Sequence, residues 1–324
     1  MLELGLDVSD SEKKQNAPVL SVVAPVHNEA NNIEPLIQRL REAISKETDR
    51  FEIIFVDDGS RDGSMALLEK FSKLDNRVKV ISLSRNFGHQ VAITAGMEFA
   101  TGEAVVVIDA DLQDPPELIS DMVRKWKEGY EVVYAVRALR GGENFLKKMT
   151  AAVFYRLLEK LTEFEIPVDT GDFRLMDRRV VEAFLSMPER GRYIRGMISW
   201  VGFRQTGVSY NRAPRSQGGT NFTIRKMVRF ALEGITSFSY VPLQLASLFG
   251  FICGIISFLM LIYVYLSNVF HNQVVRGWTS LMAMIIFIGG VQLLMIGVLG
   301  EYLGRLVTEQ KKRPLYIVRR KTNL

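Results

Sequence analysis

The chain has 324 residues, 41 Lys+Arg against 36 Asp+Glu for a net charge of +5, and 48% hydrophobic residues. At about 150 residues per domain the length predicts two units, and the composition excludes a disordered, collagen-like or disulfide-stapled protein. One cysteine, Cys253, and three histidines, His27, His89 and His271, leave no internal disulfide and no Cys-based zinc site, and argue against a His-rich catalytic metal site.

Residues 1–17 are polar and acidic, without the basic and apolar regions of a secretory signal, so a mobile tail and a cytoplasmic N-terminal domain are expected. A β/α alternation then begins. VLSVVAP (Val19–Pro25) is an apolar strand; Ile33, Leu36, Ile37, Leu40 and Ile44 recur at helical spacing. FEIIFVDD (Phe51–Asp58) is a second strand, Met65–Phe71 a helix, VKVISL (Val78–Leu83) a third strand, His89–Ala100 a helix and EAVVVIDAD (Glu103–Asp111) a fourth strand. EVVYAVR (Glu131–Arg137) is a fifth, followed by a basic loop to Lys148 and a helix near Thr150–Leu161. DTGDFRLMD (Asp169–Asp177) reads as a loop entering a short strand, and FRQTGVSYNR (Phe203–Arg212) as a late strand.

Apolar strands separated by amphipathic helices predict an α/β fold with a mostly parallel sheet covered on both faces. Ligands bind such sheets at the carboxyl ends of the strands. His27-Asn28-Glu29, Asp57-Asp58-Gly59-Ser60 and Asp109-Ala110-Asp111 fall at three of those ends. Turn chemistry explains any one such cluster about as well as function does. Three on one rim favour a site.

Arg212, Arg215, Arg225, Lys226 and Arg229 form a basic segment interleaved with apolar residues, which suggests a helix lying on a membrane surface. Nucleic-acid binding is the other use of such a patch, and the apolar stretches beside it argue against that. The first stretch, 241–270, has no Asp, Glu, Lys or Arg; the second, 278–300, is interrupted only by Gln292. Each exceeds the roughly 20 residues needed to cross a hydrocarbon core of about 30 Å. Seven basic residues follow in the C-terminal tail, against Arg276 alone in the short linker. Positive-inside bias therefore places both termini in the cytoplasm. The alternative is a pair of core helices in a soluble protein. The expected organisation is a tail (1–17), a catalytic domain (18–212), a basic interfacial segment (213–240), two transmembrane helices (241–304; about 241–270 and 278–302) and a basic cytoplasmic tail (305–324).

Two carboxylates one residue apart at a strand end, as in Asp109-Ala110-Asp111, suit a divalent cation that also binds substrate phosphates. Context strengthens this weak signal. SVVAPVHNE (Ser21–Glu29), IIFVDDGSRDGS (Ile53–Ser64) and VIDADLQDPPELI (Val107–Ile119) resemble three motifs of glycosyltransferase family 2, which has the GT-A fold. DTGDFRLMDR, RYIRGMISWVGF and PLQLASLFGF resemble its dolichyl- and polyprenyl-phosphate sugar transferase branch. Roughly residues 18–314 take part, and with two apolar spans the chain is similar to bacterial polyprenyl-phosphate glucosyltransferases.

The resemblance implies Pro25, Asn28 and Glu29 in a nucleotide pocket, Asp57 and Asp58 at the uracil or ribose, and Asp109 holding the nucleotide. It implies Asp111 and Gln113 as ligands of Mg2+ or Mn2+ and Arg137 at the phosphates. Asp169, Asp172 and Arg174 would lie near sugar and acceptor and, with Asp111, form the catalytic set. Arg212 and Arg215 would bind the leaving diphosphate or the lipid phosphate. One departure is Asn221, where the branch has a lysine; Arg225 or Lys226 could replace that phosphate contact. His89 could touch a phosphate, although packing or capping is the commoner role; His27 stands where the branch often has tyrosine.

The implied reaction moves glucose from UDP-glucose to undecaprenyl phosphate with inversion, by an inner-membrane enzyme that is a homo-oligomer and binds no nucleic acid. Mannose from GDP-mannose and a UDP-aminoarabinose derivative are alternative donors. A processive synthase would carry a Q-x-x-R-W motif, which is absent. A non-catalytic membrane scaffold with a nucleotide-binding fold is the rival from another class.

Overall fold

The computed structural model describes residues 18–137, 170–210 and 277–324, together with separate helical positions between 243 and 266. The chain divides into two compact units, one carrying the sheet and residues 313–324, the other carrying the long apolar helix.

β1 (Leu20–Val26), β2 (Phe51–Asp57), β3 (Val78–Leu83) and β4 (Ala104–Val107) are buried along almost their whole length. Strands apolar on both faces need cover on both faces, and amphipathic helices supply it. α1 (Ala30–Ile44), α2 (Ser64–Leu74) and α4 (Leu118–Lys127) pack on one face through Ile33, Leu36, Leu40, Leu68, Ile119 and Met122, against Val22, Ile53, Phe55 and Val106. On the other face α3 (His89–Phe99) lies across β1 and β2, and α5 (Arg178–Ser186) across β4 and β6 (Thr170–Asp177). A short α6 (Ile194–Trp200) packs beside α5.

Eight strands run in the order β7-β5-β6-β4-β1-β2-β3-β8, where β5 is Val132–Arg137, β7 is Gln205–Tyr210 and β8 is Val318–Thr322. Pairings β1·β2, β2·β3, β1·β4 and β5·β7 are parallel; β4·β6, β5·β6 and β3·β8 are antiparallel. The sheet is therefore mostly parallel, as the sequence predicts. The chain winds outward from β1 to β3 and then returns to place β4 on the other side of β1. That reversal opens a crevice at the carboxyl ends of β1 and β4, the position at which doubly wound folds bind ligands.

Three elements differ from their sequence-based expectations. β4 stops at Val107, so Asp109 and Asp111 lie on the loop beyond it. Residues 170–177 form a full strand in the middle of the sheet, with its polar residues buried by neighbours on both sides. The segment expected as a tail is also ordered differently: α7 (Trp278–Gln310) continues through residues 305–310, and β8 then pairs with β3. Phe287–Gln310 is the one helix among the described residues long and apolar enough to cross a membrane. The first expected span, 241–270, lies largely outside the described residues; those described within it are helical. The tail 1–17, the helix near 150–161 and the interfacial segment 213–240 also lie outside them.

Candidate active site

The strand directions bring distant residues to one rim. β1, β2, β4, β5 and β7 end there and β6 begins there, because β6 runs antiparallel to β4 and β5. His27, Asp57, Asp58, Asp109, Arg137, Asp172 and Tyr210 thus share an edge that the sequence spreads over 184 positions, from 27 to 210.

The first wall is built by loops that hold one another. Asp58, 3% exposed, accepts the backbone N–H of Phe87 at 2.7 Å and of Gly88 at 2.9 Å, one on each carboxylate oxygen. Asp57 accepts the Ser60 N–H at 3.1 Å and the Ser82 hydroxyl at 3.3 Å. Gly59, at φ +70°, lets the two loops touch: a Cβ there would stand 2.7 Å from the Asn86 nitrogen. His27 Nδ1 lies 2.9 Å from the Asp58 carbonyl oxygen, with the Asn86 amide within 3.3 Å of the ring. Asn28 adopts a left-handed conformation, which asparagine tolerates, and its Oδ1 accepts the Arg61 N–H at 2.8 Å. Glu29 accepts from the Asn32 side chain at 2.6 Å, and Pro25 is buried within β1. The sequence-based roles of Asp57 and Asp58 at a base or ribose therefore meet a structural fact: both already accept hydrogen bonds that shape the wall.

The second wall follows β4. Asp111 Oδ1 accepts the Gln113 N–H at 3.1 Å, the one hydrogen bond shown for this carboxylate among the described residues. Leu112 between them sits at φ 58°, a conformation that costs a non-glycine residue about 1–2 kcal/mol. Asp114 is fully buried and accepts from the Tyr210 hydroxyl, which also lies 3.4 Å from Arg137 Nε. Burial and the Asp114 hydrogen bond push the Tyr210 phenol up to about 12.

Between the walls lies a charged cluster. Asp172, 5% exposed, accepts Arg195 Nε at 2.8 Å on Oδ1, and Gln90 Nε2 at 3.0 Å and His89 Nε2 at 3.2 Å on Oδ2. His89 Nε2 is also 3.4 Å from Asp109 Oδ1, a buried oxygen with no hydrogen-bond partner. Burial, then the neighbouring carboxylates, raise the Asp109 carboxyl to about 6 despite the opposing His89. Arg174 is 4% exposed, donates to the Gly171 carbonyl oxygen at 3.0 Å and keeps an unpartnered Nε; burial draws its guanidinium down to about 10. Gln90, Arg195 and Tyr210 were not singled out from the sequence. Gln90 and Arg195 meet Asp172 only when β6 and α6 are set beside α3, and Tyr210 meets Arg137 because β7 pairs with β5. Asp169, Arg212, Arg215, Arg225 and Lys226 lie outside the described residues.

No group of three or more His, Cys, Asp or Glu side chains forms a ready metal cage among the described residues. The donors present still fit a hard divalent cation of the kind that takes one or two carboxylates and completes its shell with water and substrate phosphates. Asp111 has coordination capacity to spare, the Gln113 side-chain amide follows two residues later, and the unpartnered Asp109 oxygen is a nearby acceptor.

Buried charge alone does not mark this rim. At the opposite ends of the strands Glu52 is 2% exposed, with Ser21 Oγ at 2.5 Å, Lys79 Nζ at 2.5 Å and the Thr101 N–H at 2.7 Å. That network joins one carboxylate to one ammonium, whereas the cluster at the switch point gathers several carboxylates and guanidiniums.

A GT-A-like α/β fold with carboxylates and guanidiniums gathered at its switch point is that of a glycosyltransferase. The chain belongs to glycosyltransferase family 2, whose profile (Glycosyl transferase family 2) matches residues 21–185. It is 51% identical over 93% of both chains to the uncharacterized glycosyltransferase YkcC of Bacillus subtilis strain 168. It is 41% identical, over 93% of this chain and 98% of the relative, to the prophage bactoprenol glucosyl transferase homolog of Escherichia coli K12 and to the bactoprenol glucosyl transferase of Shigella phage SfV. Among solved structures it is similar to mannosyl-3-phosphoglycerate synthase from Rubrobacter xylanophilus, at 20% identity and a TM-score of 0.48, covering 69% of this chain and 73% of that one.

Proposed function

We propose that this glycosyltransferase moves glucose from UDP-glucose to a polyprenyl phosphate at the cytoplasmic face of a membrane, inverting the anomeric carbon. The observation that carries the reading is the near full-length likeness, at 41% identity, to relatives named bactoprenol glucosyl transferase. The apolar helix α7 is consistent with a lipid-borne acceptor. In this reading α7 is the second helix of a hairpin whose first helix is 241–270, with both termini cytoplasmic and segment 213–240 at the interface.

The proposed chemistry is a direct displacement. A phosphate oxygen of the acceptor attacks the anomeric carbon, the bond from that carbon to the donor diphosphate breaks, and UDP leaves with the bonding electrons. A phosphate monoester has a second pKa of about 6, so the nucleophile is largely ionised at neutral pH and needs no strong base. The protein must align the reactants and stabilise charge on the leaving diphosphate. Arg137, at the end of β5, and Arg212 and Arg215 are the phosphate-binding groups in this reading. Asp111 and Gln113 would hold Mg2+ or Mn2+, which supplies neutralisation of the diphosphate charge. The Asp58-latched loops would form the wall of the nucleotide pocket.

The test is transfer of radiolabelled sugar from UDP-glucose, GDP-mannose and UDP-N-acetylglucosamine to undecaprenyl phosphate, with Mg2+, Mn2+ or EDTA. Metal-dependent label in lipid from UDP-glucose alone is expected. Label from another donor would replace the sugar and keep the reaction, and absence of label from every donor with folded protein would reject the reading.

A further inference from the structure

We propose that Gln90 and Arg195 are positioning residues for the transfer: they lock Asp172 as a hub that fixes His89 against Asp109, and Asp172 is not the proton acceptor. The proposal rests on the transfer reaction proposed above. Asp172 lies near the start of β6, and three elements close on it. Arg195, on α6, places Nε 2.8 Å from Oδ1. Gln90, in the first turn of α3, places Nε2 3.0 Å from Oδ2, and its Oε1 accepts the Ile194 N–H at 3.1 Å. One glutamine side chain therefore joins the start of α3, β6 and the start of α6. His89 Nε2, 3.2 Å from Oδ2, also faces Asp109 Oδ1 at 3.4 Å.

A carboxylate that accepts from a guanidinium, an amide and an imidazole is a poor base, because protonation would give up charge-assisted bonds in a buried place. An ionised lipid phosphate does not call for a base either. What the arrangement supplies is rigidity. Asp109 Oδ1 is buried without a hydrogen bond of its own, and the imidazole held by Asp172 is the cation-forming group beside it. Loss of either lock would let His89, and with it the geometry around Asp109, relax. Misplacement of about 1 Å at a reacting centre can lower a rate about 100-fold.

The experiment uses the full-length protein in detergent with undecaprenyl phosphate, comparing wild type with Arg195→Ala, Arg195→Lys and Gln90→Leu. The expected result is kcat about tenfold or more lower for Arg195→Ala and Gln90→Leu, donor KM changed less than about threefold, and partial recovery in Arg195→Lys. A donor KM raised in step with the loss of kcat, or a loss of kcat that Arg195→Lys does not recover in part, would mean that the cluster binds donor or only maintains the fold, and would overturn the proposal. Wild-type kcat in both Arg195→Ala and Gln90→Leu would overturn it as well, leaving the function intact. No transfer by wild type would overturn the functional reading, and the positioning role with it. If Arg195→Ala does not fold, Gln90→Leu carries the same expectation, since leucine keeps the volume and removes both hydrogen bonds.

Discussion

Asp111 offers its carboxylate to the rim with one backbone hydrogen bond to satisfy it, from Gln113. Asp111→Asn keeps that bond and the shape of the loop while removing the charge. Transfer is expected to fall about 100-fold or more, with the thermal midpoint unchanged; near-normal turnover would remove Asp111 from the metal-binding role. His89 makes a second, pH-dependent case. Burial alone would lower its pKa, but the Asp172 hydrogen bond and the charges of Asp109 and Asp172 outweigh both burial and the opposing Arg195, and raise it. The folded state thus binds this proton more tightly than the unfolded chain does. The resulting stability is fully present below the unfolded imidazole value of about 6.5 and is lost as pH rises through the higher folded value. Asp172 acts at the other end of the scale. Burial would raise it, yet the Arg195 charge and the hydrogen bonds from His89 and Arg195 hold it well below the usual carboxylate range, so its contribution is present above about pH 3.9 and lost in acid. The thermal midpoint should therefore decline as pH rises above about 6.5, and His89→Gln should flatten that decline; an unchanged slope would exclude His89 as its source.

Packing of whole elements sets how these groups meet. α3 delivers His89 and Gln90 to the rim because it lies close against β1 and β2, and Gly96 permits the approach: a Cβ there would fall 2.2 Å from Val23 Cγ1. Gly96→Ala is expected to destabilise the protein by about 1–3 kcal/mol through overpacking, read as a lower midpoint in denaturant, although alanine is the better helix former. A neutral or stabilising result would mean that α3 can shift outward without penalty. β3 matches its sequence-based bounds because Val78–Leu83 is an apolar run flanked by polar residues. β6 shows the opposite case. Gly171, Asp172 and Arg174 break the hydrophobic pattern, so the segment reads as a loop entering a short strand, where the structure has a strand over Thr170–Asp177. Asp172 is tolerated in a buried strand because α3 and α6 bring the partners that satisfy it. α4 and α5, which the sequence-based expectations do not assign, do carry local signals: Leu118, Ile119, Met122 and Val123 lie on one face of α4, Val180, Val181 and Phe184 on one face of α5, and the Asp177 side chain caps α5 by accepting the Arg179 N–H.

The chain returns to its sheet after the apolar helix. β8 covers the edge of β3; Ser84 donates its N–H to the Ile317 carbonyl oxygen at 2.9 Å, and the Tyr316 hydroxyl reaches Glu98 at 2.5 Å. An uncovered β3 would present unpaired backbone groups to other chains. Deletion of residues 313–324 is therefore expected to lower the thermal midpoint and promote aggregation; a monodisperse deletion variant of wild-type midpoint would show that β8 is dispensable. The class of fold, the rim and its acids, and the apolar stretches are legible in the sequence, because hydrophobic period and the residues that end strands are local properties. The tertiary structure alone decided that residues 170–177 enter the sheet centre, that Gln90 and Arg195 converge on Asp172, and that the last residues form an edge strand. Each of these depends on register between segments far apart in the chain, and a buried polar group is made tolerable by a partner that no local pattern encodes.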